Sequence, residues 1–194
     1  MAASRSAARA AAAAKRILVL GSSGAGKSRF TKRLCALLQI SPIHLDALFW
    51  QPGWTPSHQR EWRRRVTLLV EREAWIMDGT YEASLDLRLP SAQSIIYIEA
   101  SRYKCLWRAL TRALRPSDRR PPESPLGQRI DFGLVRYIWR FPAVTKSQIL
   151  SLIREYGKEE QFMVLDGPRQ VTQFLSYVRS ELADSSNPAS KSTS

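Results

Sequence analysis

Three glycines, three serines and a lysine fall within the eight residues Gly21, Ser22, Ser23, Gly24, Ala25, Gly26, Lys27 and Ser28. These types in this order suit phosphate chemistry. Glycines let the backbone curl until successive N–H groups point inward, and the start of a following helix adds free N–H groups and partial positive charge. The run satisfies GxxxxGK[ST], in which the lysine reaches the β- and γ-phosphates and the last hydroxyl ligates Mg²⁺. Context agrees, because the apolar "RILVL" precedes the run while Phe30, Leu34, Leu37 and Leu38 follow it at helical spacing. The competing reading, a flexible turn capping a helix, is outweighed by that agreement. The loop is expected to hold a nucleoside triphosphate.

Further candidates lie at the ends of other apolar runs. Asp78 closes "WIMD" and should emerge beside the loop, where a carboxylate holds Mg²⁺ through its water shell. Glu99, which ends "IIYIE", is the rival metal carboxylate. Asp46 follows "PIHL" and opens the next helical stretch, where helix capping is one reading of an acid. His44 reads as a structural histidine. Trp50 and Trp54 flank "QPG" and would either stack on a base or fill an apolar wall. Arg108 and Arg112 are four apart, so they share one helix face, expected to point away from a core stripe of Leu106, Leu110, Ala113 and Leu114. Arg115, Arg119 and Arg120 continue the basic row.

The elements that must position these groups alternate strand with helix. "RILVL", "PIHLD", "AWIMDG", "SIIYIEA" and "FMVLD" read as five strands, each followed by a helical pattern, and a last helix opens at Pro168. Such alternation predicts an α/β fold with a parallel sheet, helices on both faces and ligands beyond the carboxyl ends of the strands. The proline- and arginine-rich stretch of about 115–131 cannot continue a helix and is expected to form a lid. Residues 1–15 read as a disordered arm, residues 16–183 as the folded domain and residues 184–194 as a disordered tail.

Composition limits the function classes. The 194 residues, 44% hydrophobic and 24% charged, suit one globular domain, and no apolar run reaches the roughly 18 residues of a membrane span. Cys35 and Cys105 have neither zinc nor disulfide spacing, so a reducing, cytoplasmic setting is expected. Residues 1–15 would also suit an organellar targeting segment. The net charge of +13 is concentrated, with ten basic against three acidic residues in 102–140. That field suits a polyanion as small as a nucleotide or as large as nucleic acid. Asn187 is the only asparagine, so the NKxD guanine-reading element of GTPases is missing, as is the Asp-Glu pair of motor-type ATPases.

From the loop together with "HLDALFWQPGW", "WIMDGTY", "LDLRL", "CLWRAL" and "YIWRFP", residues 16–183 resemble P-loop kinases of the adenylate kinase and shikimate kinase group. Within it they are most similar to small bacterial adenylate kinase-like, or "DNA topology modulation", proteins. The resemblance implies a three-layer P-loop NTPase sandwich with strand order 2-3-1-4-5. It transfers an Asp-Gly pair to Asp78 and Gly79. Where adenylate kinases continue with Phe-Pro-Arg this chain has Thr80, Tyr81 and Glu82, which leaves Arg88 as the candidate phosphate-clamping replacement. It also implies acceptor contact for Asp46, clamping of the transferring phosphoryl group by Arg108 and Arg112, and backbone contact with adenine near Gly167 and Pro168.

The expected activity is transfer of the ATP γ-phosphoryl group, with Mg²⁺, to a small acceptor such as a nucleotide or nucleoside. Lys27, Asp46, Arg108 and Arg112 are the expected catalytic residues, Ser28 and Asp78 the metal-holding ones, and Asp46 and Arg88 the acceptor-facing ones. The alternative is an ATPase or nucleotide-switched regulator associated with nucleic acid, which the charge alone would favour.

Overall fold

A computed structural model describes residues 5–51, 55–114 and 132–186. In chain order, α1 (Arg5–Ala13) precedes β1 (Arg16–Leu20) and α2 (Lys27–Leu38). Then come β2 (Pro42–His44), α3 (Leu45–Phe49), a small antiparallel ribbon of β3 (Trp50–Gln51) and β4 (Thr55–Pro56), and α4 (Gln59–Val70). β5 (Trp75–Asp78), a 3-10 turn (Glu82–Ser84), α5 (Leu85–Arg88), β6 (Ser94–Glu99) and α6 (Arg102–Ala113) follow. The last elements are α7 (Phe132–Arg140), α8 (Thr145–Glu155), β7 (Phe162–Asp166) and α9 (Gly167–Ser186).

Five strands pair in parallel in the order β2-β5-β1-β6-β7. The ribbon stands outside this sheet, so numbering only its five strands returns the expected 2-3-1-4-5. Successive side chains of a strand point to opposite faces, and β1 shows the result. Ile17 and Val19 enter a core with Phe30, Leu34, Phe174 and Val178 from α2 and α9, whereas Leu18 and Leu20 enter one with Trp62, Val66, Leu85 and Ile149 from α4, α5 and α8. Helices therefore cover both faces, and near-continuous apolar strands are what burial on two sides requires. Among the described residues no helix is long and apolar enough to cross a membrane.

Three expectations change. Residues 5–13 of the arm are helical, with Ala8 and Ala11 fully buried against α9. Alanine is the best helix former, and its small side chain lets two helices approach. Arg5 over the Tyr177 ring and Arg9 beside Glu181 hold the rim, and a nine-residue helix needs such packing to persist. At the other end α9 continues to Ser186, beyond the expected boundary at 183. The third change concerns α6, where Leu110 and Leu114 are exposed while Cys105 and Ala109 are buried. At about 100° per residue, Cys105, Ala109 and Arg112 share one face. The small residues let that face approach the phosphate loop, so the arginines point inward with them. Trp54 and the expected lid, with Arg115, Arg119 and Arg120, lie outside the described residues.

Candidate active site

β1 delivers the chain into the loop at the carboxyl edge of the sheet, and α2 begins at Lys27. Two glycines are required by close approach as well as by conformation. Gly21 has φ +140° and Gly24 φ +79°, and a Cβ would come within 2.5 Å of the Ile98 carbonyl oxygen at the first and 2.4 Å of the Cys105 carbonyl oxygen at the second. The loop is thus wedged against β6 and α6. Its entrance is tied to β5 by Thr80, whose hydroxyl donates to the Gly21 carbonyl at 2.8 Å and accepts from the Gly21 N–H at 3.3 Å.

Lys27 curls over the loop, donating from Nζ to the carbonyls of Gly21 (2.9 Å) and Ser22 (3.0 Å). Burial pushes its pKa down, Asp46 and Asp78 pull it back up, and Arg112 adds to the lowering. Arg108 donates from Nη1 to the carbonyls of Gly24 and Ala25, at 3.2 Å each, and Arg112 from Nη2 to the Ser23 hydroxyl at 3.3 Å. Burial lowers the Arg112 pKa, with Asp46 opposing. The buried Nε of Arg112 has no hydrogen-bond partner. A guanidinium held at the loop with an unused donor suits an anion that brings several oxygens.

Asp78 ends β5 and is almost fully buried. Its Oδ1 is hydrogen-bonded to His44 Nδ1 at 2.8 Å, whereas its buried Oδ2 has no partner. Among the described residues no group of three or more His, Cys, Asp or Glu side chains could cage a metal. One orphaned carboxylate oxygen beside the loop and the Ser28 hydroxyl instead fit Mg²⁺, which takes one or two protein oxygens and completes its shell with phosphates and water. Glu99, the rival carboxylate, is paired with Lys146.

Asp46 sits in the first turn of α3, and the Tyr81 hydroxyl donates to its Oδ1 at 2.6 Å. Burial, then the Asp46 charge, pushes the Tyr81 pKa well up, which keeps this hydroxyl a donor; Trp50 is its further hydrogen-bond partner. Tyr81 itself was legible only as a departure from the adenylate kinase pattern, and its φ of +38° turns it back over α3.

Arg88 does not face an acceptor. It is fully buried and donates to the backbone carbonyls of Gly79 (2.9 Å), Thr80, Tyr81 (2.9 Å) and Ser84 (3.3 Å). Burial lowers its pKa to about 10, against the pull of Glu82, Asp86 and Tyr81. The reason is topological, because the chain leaving β5 loops over the first turn of α5 and its carbonyls have no strand to bond. The guanidinium replaces that ladder.

Two cavities meet at the loop. One, of about 510 Å³, is lined by Gly26, Phe30, Glu99, Arg108, Gly167 and Pro168 among others. The second, of about 560 Å³, lies on the other side of the loop and is lined by Ser23, Lys27, Asp46, Trp50, Tyr81 and Tyr137 among others. Phe49, Trp62 and Tyr81 form its aromatic wall, with ring centroids 4.7–5.2 Å apart. Tyr137, carried in from α7, was legible only as the first residue of "YIWRFP", with no sign that it lines a cavity.

No protein-family model and no curated protein matches the chain. Solved structures do match it. A shikimate kinase from Acinetobacter baumannii in complex with shikimate is similar over 91% of this chain and 98% of its own, with TM-score 0.56 and 15% identity. A gluconokinase from Sinorhizobium meliloti is similar over 89% of this chain and 97% of its own, with TM-score 0.50 and 17% identity. At identities this low the likeness shows the fold alone, a five-stranded parallel sheet covered by helices on both faces that this chain shares with these two kinases.

Proposed function

We propose that this protein is an ATP-dependent small-molecule kinase of the adenylate kinase-like and shikimate kinase-like group. One observation carries the reading: the phosphate loop is the shared wall of two cavities. A nucleotide whose phosphates lie on the loop would have its base and sugar in the 510 Å³ cavity and its terminal phosphoryl group turned towards the 560 Å³ one. A nucleotide switch or plain ATPase has no need of the second cavity. The fold neighbours' names, a shikimate kinase and a gluconokinase, support a hydroxyl as the receiving group.

The chain's own groups fall into roles. Loop amides from Gly21 to Ser28 and the Lys27 ammonium bind the phosphates, and Arg108 and Arg112 offset charge that spreads over the moving group's oxygens. Ser28 and Asp78 would hold Mg²⁺, which neutralises the phosphate oxygens when bound. Asp46, oriented by Tyr81, takes the proton of the acceptor hydroxyl. A bond then forms from that oxygen to the γ-phosphorus, the bond to the β,γ-bridging oxygen breaks, and ADP leaves.

Isothermal titration with MgATP, followed by transfer of labelled γ-phosphate to an acceptor panel that includes shikimate and gluconate, tests the reading. Saturable binding that Lys27→Ala weakens at least tenfold, with label in one acceptor, is expected. Binding unaffected by Lys27→Ala, with label released only as inorganic phosphate, would refute it.

A further inference from the structure

Resting on the kinase reading, we infer that the acceptor is a flat-ringed alcohol bearing neither phosphate nor carboxylate, of the kind represented by nucleosides and hydroxymethyl heteroaromatics. The walls of the 560 Å³ cavity argue for the ring. Phe49, Trp50, Trp62, Tyr81 and Tyr137 all line it. The first four are braced edge to face or tilted, with Phe49 at the centre, 5.2 Å from Trp50, 5.1 Å from Trp62 and 4.7 Å from Tyr81. Rigid aromatic faces of this kind favour a planar guest, which stacks at little entropic cost.

Charge argues for the missing anion. Among the described residues lining the cavity the one cation is Lys27, at the loop, whereas Asp46 and Glu82 are both carboxylates. Arg88, the arginine that could have met an anionic acceptor, is fully used by four backbone carbonyls. Both carboxylates act on a common point: after burial, Glu82 and then Asp46 push the Tyr137 hydroxyl up. An acceptor phosphate or carboxylate beside Tyr137 would meet the same two charges, and among the described residues lining the cavity the one cation to offset them is Lys27, at the loop. A site that selects by repulsion as well as by stacking discriminates against the close anionic analogue. The reaction is unchanged, an alcohol oxygen forming a phosphate monoester as its proton passes to Asp46 and ADP departs.

The test uses the full chain with Mg²⁺ and a non-hydrolysable ATP analogue, titrated with matched pairs: adenosine and thymidine against their 5′-monophosphates, and a hydroxymethylpyridine against a pyridine carboxylate. Every neutral member that binds should do so at least tenfold more tightly than its anionic partner, and which neutral series binds separates nucleoside from simple heteroaromatic. Trp50→Ala should weaken the neutral ligand at least tenfold. Glu82→Gln, an isosteric change at a half-buried position of the 3-10 turn, should narrow the neutral-to-anionic gap at least threefold. Equal or tighter anion binding, an unchanged gap in Glu82→Gln, or no neutral ligand binding while the analogue still binds would each overturn this inference. Failure of the analogue itself to bind removes the kinase reading beneath it.

Discussion

Replacing Arg88 separates a structural guanidinium from a substrate-binding one. In Arg88→Met the side chain retains most of its volume, but four carbonyls, of Gly79, Thr80, Tyr81 and Ser84, lose their donors in a buried setting. An unsatisfied buried acceptor costs about 1–3 kcal/mol. Water entry and relaxation keep such losses from adding fully, and removing a buried cation recovers desolvation energy, so the net cost is about 3–5 kcal/mol. For a domain of this size that is about 10 °C in Tm. Arg88→Lys should recover little, because an ammonium offers three donors from one point where the fork reaches carbonyls spread along a turn. Urea unfolding measures the stability, and acceptor KM measured well below each variant's Tm tests the binding role. Should Arg88→Lys unfold within about 0.5 kcal/mol of the parent while raising acceptor KM more than tenfold, the structural assignment of Arg88 is wrong.

Gly24→Ala places a methyl group against the Cys105 carbonyl at a strained φ, so titration calorimetry should show MgATP affinity falling at least a hundredfold as the loop is forced off α6. Arg112→Ala removes the partly buried guanidinium at Ser23; steady-state assays with labelled ATP should show kcat lowered about 10²–10³-fold, as for loss of a transition-state donor. Arg63 donates to both oxygens of Asp86, at 2.9 and 2.7 Å, and that hydrogen bond above all holds the carboxyl below its ordinary range. A lowered folded pKa contributes stability above the unfolded value of about 3.9 that is lost as pH falls through the folded one. Asp86→Asn should therefore unfold more readily than the parent above about pH 5, by no more than about 1 kcal/mol because the pair is part-exposed, and in urea melts the difference should shrink as pH falls below about 3.9 and vanish once the folded carboxyl is protonated.

Much of the site was readable because its signals are local. Gly21 to Ser28, the proposed phosphate cradle, are consecutive residues, and Asp78 was marked by the apolar run that it ends. Arg108 and Arg112 were readable as a pair from their spacing, but their direction was not. The leucines beside them suggested a core stripe, and only the docking of Cys105 against Gly24, with Ala109 also buried, turned the helix the other way. Arg88 stood in sequence where a clamp would be useful. Its four partners lie four to nine residues away around a turn whose path no periodicity encodes.

By itself, then, the order of residues determined the alternation of strand and helix, the parallel sheet and the phosphate loop, since each follows from side-chain period or from backbone freedom over a few adjacent positions. Tertiary structure alone decided what surrounds the second cavity. Phe49, Trp62, Tyr81 and Tyr137 come from four separate segments, and Asp46 meets Tyr81 across 35 positions of chain. Such contacts depend on how layers pack, and packing is a property of the whole fold that no short stretch of sequence carries.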